Sequence, residues 1–203
     1  MLDRRSRGWF APIVAALASP LDRWRISPDL VTSVALIVGL GSAGLIAAGQ
    51  PLAGLALFGV SRLLDGVDGE LARRSRRDGT FGGLWDFTAD MVVYVAIPIS
   101  LAIADEDLWP AAAMVCAAIA VNVVTVLACE QPSEDERRSV ALASGLVEGT
   151  ETIVAYVVII AVPPLTELGL WVFAAAVGIT AASRLASARA RDRSGGPAPP
   201  PAP

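Results

Sequence analysis

The chain has 203 residues, 54% of them hydrophobic and 18% charged, with a formal net charge of −4. That apolar share exceeds what a soluble core of this length needs and points to an integral membrane protein, with no nucleic acid expected among its partners. Every cationic side chain is Arg; the absence of His and Lys excludes histidine acid/base chemistry, His-ligated zinc and lysine Schiff bases, so aspartate must carry any catalysis.

Residues 1–28 begin with Arg4, Arg5 and Arg7 and continue through a mixed aromatic and aliphatic segment from Trp9 to Trp24. This is not the layout of a signal peptide, and the pattern predicts an amphipathic helix lying at the membrane interface. Six apolar stretches follow, at 29–49, 51–72, 83–104, 108–129, 140–162 and 166–186, each near the ~20 residues that cross a bilayer core. Gly49-Gln50-Pro51, the charged 73–79, Asp105-Glu106-Asp107, the polar 130–138 and Pro163-Pro164 separate them. The expected architecture is an all-α, six-helix transmembrane bundle over 29–191, preceded by the 1–28 segment and followed by a disordered Pro/Ala-rich tail at 192–203.

Arginine is concentrated in the N-terminal segment, at 73–77, at Arg137/Arg138 and from Arg184 to Arg193, and is absent from 49–51, 105–107 and 163–167. The positive-inside rule then puts both termini and the loops after the second and fourth spans in the cytoplasm, in the plasma membrane of a prokaryote. Cys116 and Cys129 are too far apart for a CxxC motif and sit in an apolar stretch, so packing is their expected role.

The most expensive residues in the apolar chain are four aspartates, Asp65, Asp68, Asp86 and Asp90. Helical spacing puts Asp65, Asp68, Gly69 and Ala72 on one stripe and Asp86 and Asp90 on one face of the next helix. Adjacent helices could point all four at one spot, where they would repel unless divalent cations neutralised them; oxygen donors favour Mg²⁺ or Mn²⁺. Singly, these residues read equally well as helix caps, surface charges or, for Arg73 to Arg77, membrane anchors, but four carboxylates sharing one face at membrane depth is a functional signal. Gly69 and Ala72 leave a groove beside the carboxylates, Gly82 opens it from the next helix, and Arg73 offers a fork of donors suited to phosphate. Arg62, one turn before Asp65, is positioned to balance the acidic charge.

The run DxxDGxxAR, eight residues, GxxxDxxxD resembles the signature of the CDP-alcohol phosphatidyltransferases with no position missing, and the membrane setting is the one that family requires. The resemblance implies attack by an alcohol on the β-phosphorus of a CDP-linked donor such as CDP-diacylglycerol, releasing CMP in phospholipid biosynthesis. It implies that Asp65, Asp68 and Asp86 hold the metal, as two ions, that Asp90 lies at the same centre as general base, and that Gly69, Ala72, Arg73 and Gly82 border the CDP moiety. It also implies a homodimer embedded in membrane lipids, with no extra domain. Upstream, Pro28-Asp29-Leu30-Val31-Thr32 resembles the opening many members show, with aspartate in place of asparagine. Thr32 is a candidate for contact with the nucleotide or for a helix cap, and neither role excludes the other.

In the fifth stretch Glu148 and Glu151 form the next costly pair, either an acceptor pocket or partners of a cation such as Arg184. Members that use phosphorylated acceptors tend to carry basic residues here, whereas this chain has Gly149 and Thr152; Arg184 matches a basic position they keep. Two glutamates and few arginines favour a neutral or cationic alcohol, although Arg137 and Arg138 could supply the missing charge. Two other functions fit the apolar chain: a non-catalytic scaffold or small transporter, against which stands the absence of an internal repeat or paired broken helices, and a CDP-lipid hydrolase using the same metal site.

Overall fold

The computed structural model describes residues 3–75, 80–129 and 149–193. The described residues contain seven α-helices and no strand: α1 (Asp3–Arg23), α2 (Pro28–Ala47), α3 (Pro51–Ser75), α4 (Thr80–Ala104), α5 (Trp109–Cys129), α6 (Gly149–Ala161) and α7 (Thr166–Arg193). One-turn 3-10 helices at Glu106–Leu108 and Pro163–Leu165 lead into α5 and α7. The boundaries follow local chemistry. Ser27 caps α2 by accepting from the Leu30 N–H at 3.3 Å, with Pro28 in the first turn where its missing N–H costs nothing. Gly49 (φ +75°) makes the left-handed turn after α2, and Pro51 opens α3.

Among the described residues, four helical segments are long and apolar enough to cross a membrane: Pro28–Ala47, Phe81–Ala104, Glu106–Ala128 and Pro163–Arg189. The second and fifth predicted spans fall outside this set for different reasons. α3 is long enough, but Arg62, Asp65, Asp68, Glu70, Arg73 and Arg74 lower its apolarity, and several of these charges are the candidate site itself. The described part of the fifth span, α6, has 13 residues, and 140–148 lies outside the described residues, as do Arg137, Arg138 and the tail from residue 194.

α2 packs along α3 and α4, and α5 along α7. The α2–α3 contact is close because small residues face each other: Ser42 Oγ donates to the Gly54 carbonyl at 2.7 Å, and Ser61 Oγ donates to the Ala35 carbonyl at 2.8 Å. A Cβ on Gly54 would lie 2.9 Å from the Ser42 carbonyl oxygen and 2.5 Å from Ile46, so only glycine fits there. The main core joins α3, α4, α6 and α7 through Phe58, Tyr94, Tyr156 and Phe173, with Tyr156 ring centroids 6.0, 6.1 and 5.2 Å from Phe58, Tyr94 and Phe173. Pro98 inside α4 has no N–H for the Tyr94 carbonyl; the buried Tyr156 hydroxyl donates to that oxygen at 2.6 Å and satisfies it. A second cluster docks α1 on the site-bearing end of α3: Ala18 is fully buried with Val31, Val67 and Leu71, while Arg74 donates to Ser19 Oγ at 3.0 Å and to the Ala15 carbonyl at 3.4 Å.

Candidate metal centre

α3 and α4 each pack along α2, and their aspartates meet beside it. Asp65, Asp68 and Asp86 each offer a carboxylate oxygen, and these oxygens lie within 4.8 Å of one another. Asp68 is buried at 3% exposure; Asp65 and Asp86 are half-buried. Asp68 is fixed from α2, where the buried Thr32 hydroxyl donates to its Oδ2 at 2.6 Å. Oδ1 of Asp86 is a buried atom with no hydrogen-bond partner among the described residues. Three converging carboxylates, one carrying a buried oxygen without a donor, suit a hard divalent cation that accepts oxygen ligands, and they offer nothing to a thiolate-seeking metal.

Asp90 is the fourth carboxylate of the motif, and its partner is a guanidinium. Arg62 Nη1 donates to Asp90 Oδ1 and lies 3.8 Å from Asp65 Oδ1. Its Nη2 donates to Ser61 Oγ at 3.1 Å, and its guanidinium carbon lies 5.7 and 5.3 Å from the ring centroids of Phe58 and Tyr94. Asp90, one turn along α4, is engaged by Arg62 and its side chain also meets that of Asp65, so it borders the cluster of Asp65, Asp68 and Asp86. Arg62 has the balancing role that its spacing suggested.

Gly69 and Ala72 continue the Asp65/Asp68 face of α3, both partly buried. Arg73 is exposed and bound to Glu70, its Nη2 and Nε donating to Glu70 Oε2 at 2.9 and 3.2 Å; Arg74 takes the other oxygen of Glu70 at 2.9 Å. Gly82 faces the start of α2, where a Cβ would lie 3.3 Å from Asp29 Oδ1. One turn from Asp29, Ser33 Oγ accepts from the Trp85 indole N–H at 3.3 Å. Thr32 is not the cap of α2, since Ser27 does that; its hydroxyl instead holds Asp68. The parts that spacing within the motif did not reveal are therefore Asp29 and Thr32 of α2. The Pro28-to-Thr32 segment is the available signal for both.

Glu151 lies in the first turn of α6, and its Oε2 is a buried atom with no hydrogen-bond partner among the described residues. It lines a cavity of about 380 Å³ between α6 and α7, otherwise walled by apolar residues that include Val154, Ile159, Val172 and Phe173. Two residues earlier, a Cβ on Gly149 would lie 3.9 Å from the Tyr94 hydroxyl, which brings the start of α6 towards the Arg62 side of the centre. Arg184 Nη1 donates to Asn122 Oδ1 at 2.9 Å, bridging α7 to α5. Glu148 lies outside the described residues. Cys116 is a free, half-buried thiol within α5.

The sequence model described as CDP-alcohol phosphatidyltransferase matches residues 25–182. The Escherichia coli inner membrane protein YnjF is 31% identical over 166 residues, covering 77% of this chain and 80% of that protein. The CDP-diacylglycerol–serine O-phosphatidyltransferase of Mycobacterium bovis is 30% identical over 120 residues, covering 59% of this chain and 42% of that enzyme. Two crystal structures of the Mycobacterium tuberculosis phosphatidylinositol phosphate synthase superpose with a TM-score of 0.74 at 24% identity over 87% of this chain. One has CDP-DAG bound and is covered over 94% of its length; the other is in complex with manganese and citrate and is covered over 88%. At that identity the likeness is one of fold. The apolar helices and the inner-membrane relative make this an integral membrane protein, and with the family match spanning α2 to α7 around the aspartate cluster, the chain belongs to the CDP-alcohol phosphatidyltransferase family of transferases.

Proposed function

We propose that this chain transfers a phosphatidyl or other phospho-alcohol group from a CDP-linked donor, such as CDP-diacylglycerol, to the hydroxyl of an alcohol, releasing CMP. The observation that carries the reading is the convergence of Asp65, Asp68 and Asp86 from two helices, with Asp68 fixed by Thr32. α2 to α7 are its six spans and form the catalytic domain, which runs to the end of α7 at Arg193, with α1 at the bilayer interface. Arginine distribution puts both termini and the aspartate end of α3 and α4 on the cytoplasmic face of a prokaryotic plasma membrane, and the protein works as a homodimer.

Asp65, Asp68 and Asp86 hold the divalent cation, Mg²⁺ or Mn²⁺, with Asp90 nearby. Cations bound there supply neutralisation of the donor's phosphoryl oxygens and of the charge that develops as CMP leaves. Gly69, Ala72 and Gly82 leave room for the cytidine diphosphate, and Arg73 exchanges Glu70 for a phosphate. Asp90 accepts the acceptor's hydroxyl proton; the oxygen bonds to the β-phosphorus as the bridging P–O bond to the α-phosphate breaks and CMP takes that electron pair. Glu151, with Glu148 and Arg184, belongs to the acceptor side. An unpaired carboxylate oxygen there favours a neutral or cationic alcohol over a phosphorylated one.

The test is CMP release by purified protein in detergent with CDP-diacylglycerol and Mg²⁺ across inositol phosphate, glycerol phosphate, serine, inositol and glycerol, with a no-acceptor control. Acceptor-dependent CMP supports transfer and identifies the alcohol. CMP without acceptor would replace transfer by hydrolysis.

A further inference from the structure

α4 carries Asp86 and Asp90 in its first half and Pro98 in its second. Proline has no N–H, so the Tyr94 carbonyl, one turn beyond Asp90, lacks its helical donor, and α4 is weakest where its aspartate-bearing half ends. In a bilayer core no water replaces that donor. The bond comes from another helix: the Tyr156 hydroxyl of α6 donates to the Tyr94 oxygen at 2.6 Å. Tyr156 is fully buried, and the rings of Phe58, Tyr94 and Phe173 surround it, so the direction of its hydroxyl is set from α3, α4 and α7.

The two ends of this bond lead to different parts of the candidate site. The Tyr94 ring flanks the Arg62 guanidinium, which in turn donates to Asp90. Tyr156 lies on the helix whose first turn holds Glu151, and a Cβ on Gly149 at the start of that helix would lie 3.9 Å from the Tyr94 hydroxyl. We propose that Tyr156 is a positioning residue: its bond ties the Asp90-bearing half of α4 to α6, so that the general base and the acceptor side keep one geometry. This rests on the roles given above to Asp90 and to the start of α6. A residue with an N–H at position 98 would let α4 carry its own hydrogen-bond ladder past Tyr94, with no need of α6. With proline there, the placement of Asp90 relative to α6 depends on one side-chain hydroxyl. A displacement of about 1 Å originating away from the chemistry can cost roughly a hundredfold in rate.

The experiment compares wild type, Tyr156→Phe, Pro98→Ala and the double variant, purified in detergent. Pro98→Ala gives residue 98 an N–H, which supplies the Tyr94 carbonyl from within α4. The unfolding midpoint should fall in Tyr156→Phe and recover in the double variant, where the carbonyl is again satisfied. Acceptor-dependent CMP release should nonetheless stay about tenfold or more below wild type in both, while Pro98→Ala alone keeps wild-type turnover because Tyr156 can use the second lone pair of the carbonyl. The double variant serves if Tyr156→Phe does not elute as a monodisperse species. Turnover that recovers together with stability, or wild-type turnover in Tyr156→Phe, would reduce Tyr156 to a partner for a buried carbonyl. Amide hydrogen exchange with Mn²⁺ and CDP gives a readout independent of turnover. In wild type the two ligands should slow exchange at 86–97 of α4 and at 149–156 of α6 together, and in the double variant at α4 alone. Slowing confined to α4 in wild type, or shared by α6 in the double variant, would overturn the role of Tyr156 and leave the nucleotide site standing. No slowing in either helix would overturn the reading of the aspartate centre itself, and this inference with it.

Discussion

The hydroxyl of Thr32 on α2 donates a 2.6 Å hydrogen bond to Asp68 on α3, a buried pair 36 residues apart that ties the opening of one helix to the candidate metal centre on the next. A carboxylate ligand held by a neighbouring donor is pre-oriented, and loss of such a partner typically weakens metal affinity roughly 10- to 100-fold. Thr32→Val keeps the β-branched shape and removes the donor. Its Mn²⁺ affinity, read by titration, should fall by that factor, while Thr32→Ser should recover most of it. Wild-type affinity in the Val variant would reduce Thr32 to a packing residue.

Asp90 and the clustered aspartates should separate kinetically. Asp90→Asn still offers Arg62 an acceptor oxygen and leaves Asp65, Asp68 and Asp86 untouched, so CDP-donor binding should stay largely intact. Loss of a general base should cost turnover about a hundred- to ten-thousand-fold. Comparing the donor's KM with kcat decides the matter, because equal loss of binding and turnover would make Asp90 an essential ligand instead of a base.

The identity of the centre was legible because its determinants are local. Asp65 and Asp68 share a helix face at a spacing of three, and Asp86 and Asp90 at a spacing of four, whatever the rest of the chain does. How the four meet in space depends on how α3 and α4 are rotated about their axes, and that is decided by Gly54 and Ser61 of α3 and Val93 of α4 packing against Gly39 and Ser42 of α2, contacts between residues far apart in sequence. Hence the Arg62–Asp90 pairing between α3 and α4 emerged only in three dimensions. The same holds for Thr32, whose position near a helix start suggested a cap, although Ser27 is the residue at the boundary. The apolar runs predicted most helix positions, yet α7 continues to Arg193, beyond the expected 186, because a charged extension past the apolar stretch carries no hydropathy signal.

The close α2–α3 approach makes its own prediction about stability. At Gly54 a side chain would meet the Ser42 backbone oxygen at 2.9 Å, and backbone cannot step aside as a side chain can. Gly54→Val should destabilise the protein by about 1–3 kcal/mol, the usual cost of overpacking. It should also loosen Mn²⁺ binding, since α2 carries Thr32. Gly59, on the same helix with open space around its Cα, is the control: Gly59→Ala should be neutral or slightly stabilising. Thermal unfolding in detergent, with Mn²⁺ titrations on the folded variants, checks both.

Removal of the metal should expose the electrostatic cost of the centre. Three carboxylates within 4.8 Å repel one another when no cation is bound, and Asp86 Oδ1 has no hydrogen-bond partner among the described residues. Chelation by EDTA should therefore lower the unfolding midpoint of the wild type, and Mn²⁺ should raise it in a concentration-dependent way, by about 2.7 kcal/mol at a hundred times the dissociation constant. Asp86→Asn crosses these effects. It removes one repelling charge and adds an amide donor that neighbouring carboxylates can accept, so in EDTA the variant should be more stable than wild type. It also removes a ligand, so added Mn²⁺ should stabilise it little. A variant less stable than wild type in EDTA would mean that Asp86 contributes to folding without any cation, and that the convergence of the three aspartates is not a site held ready for metal.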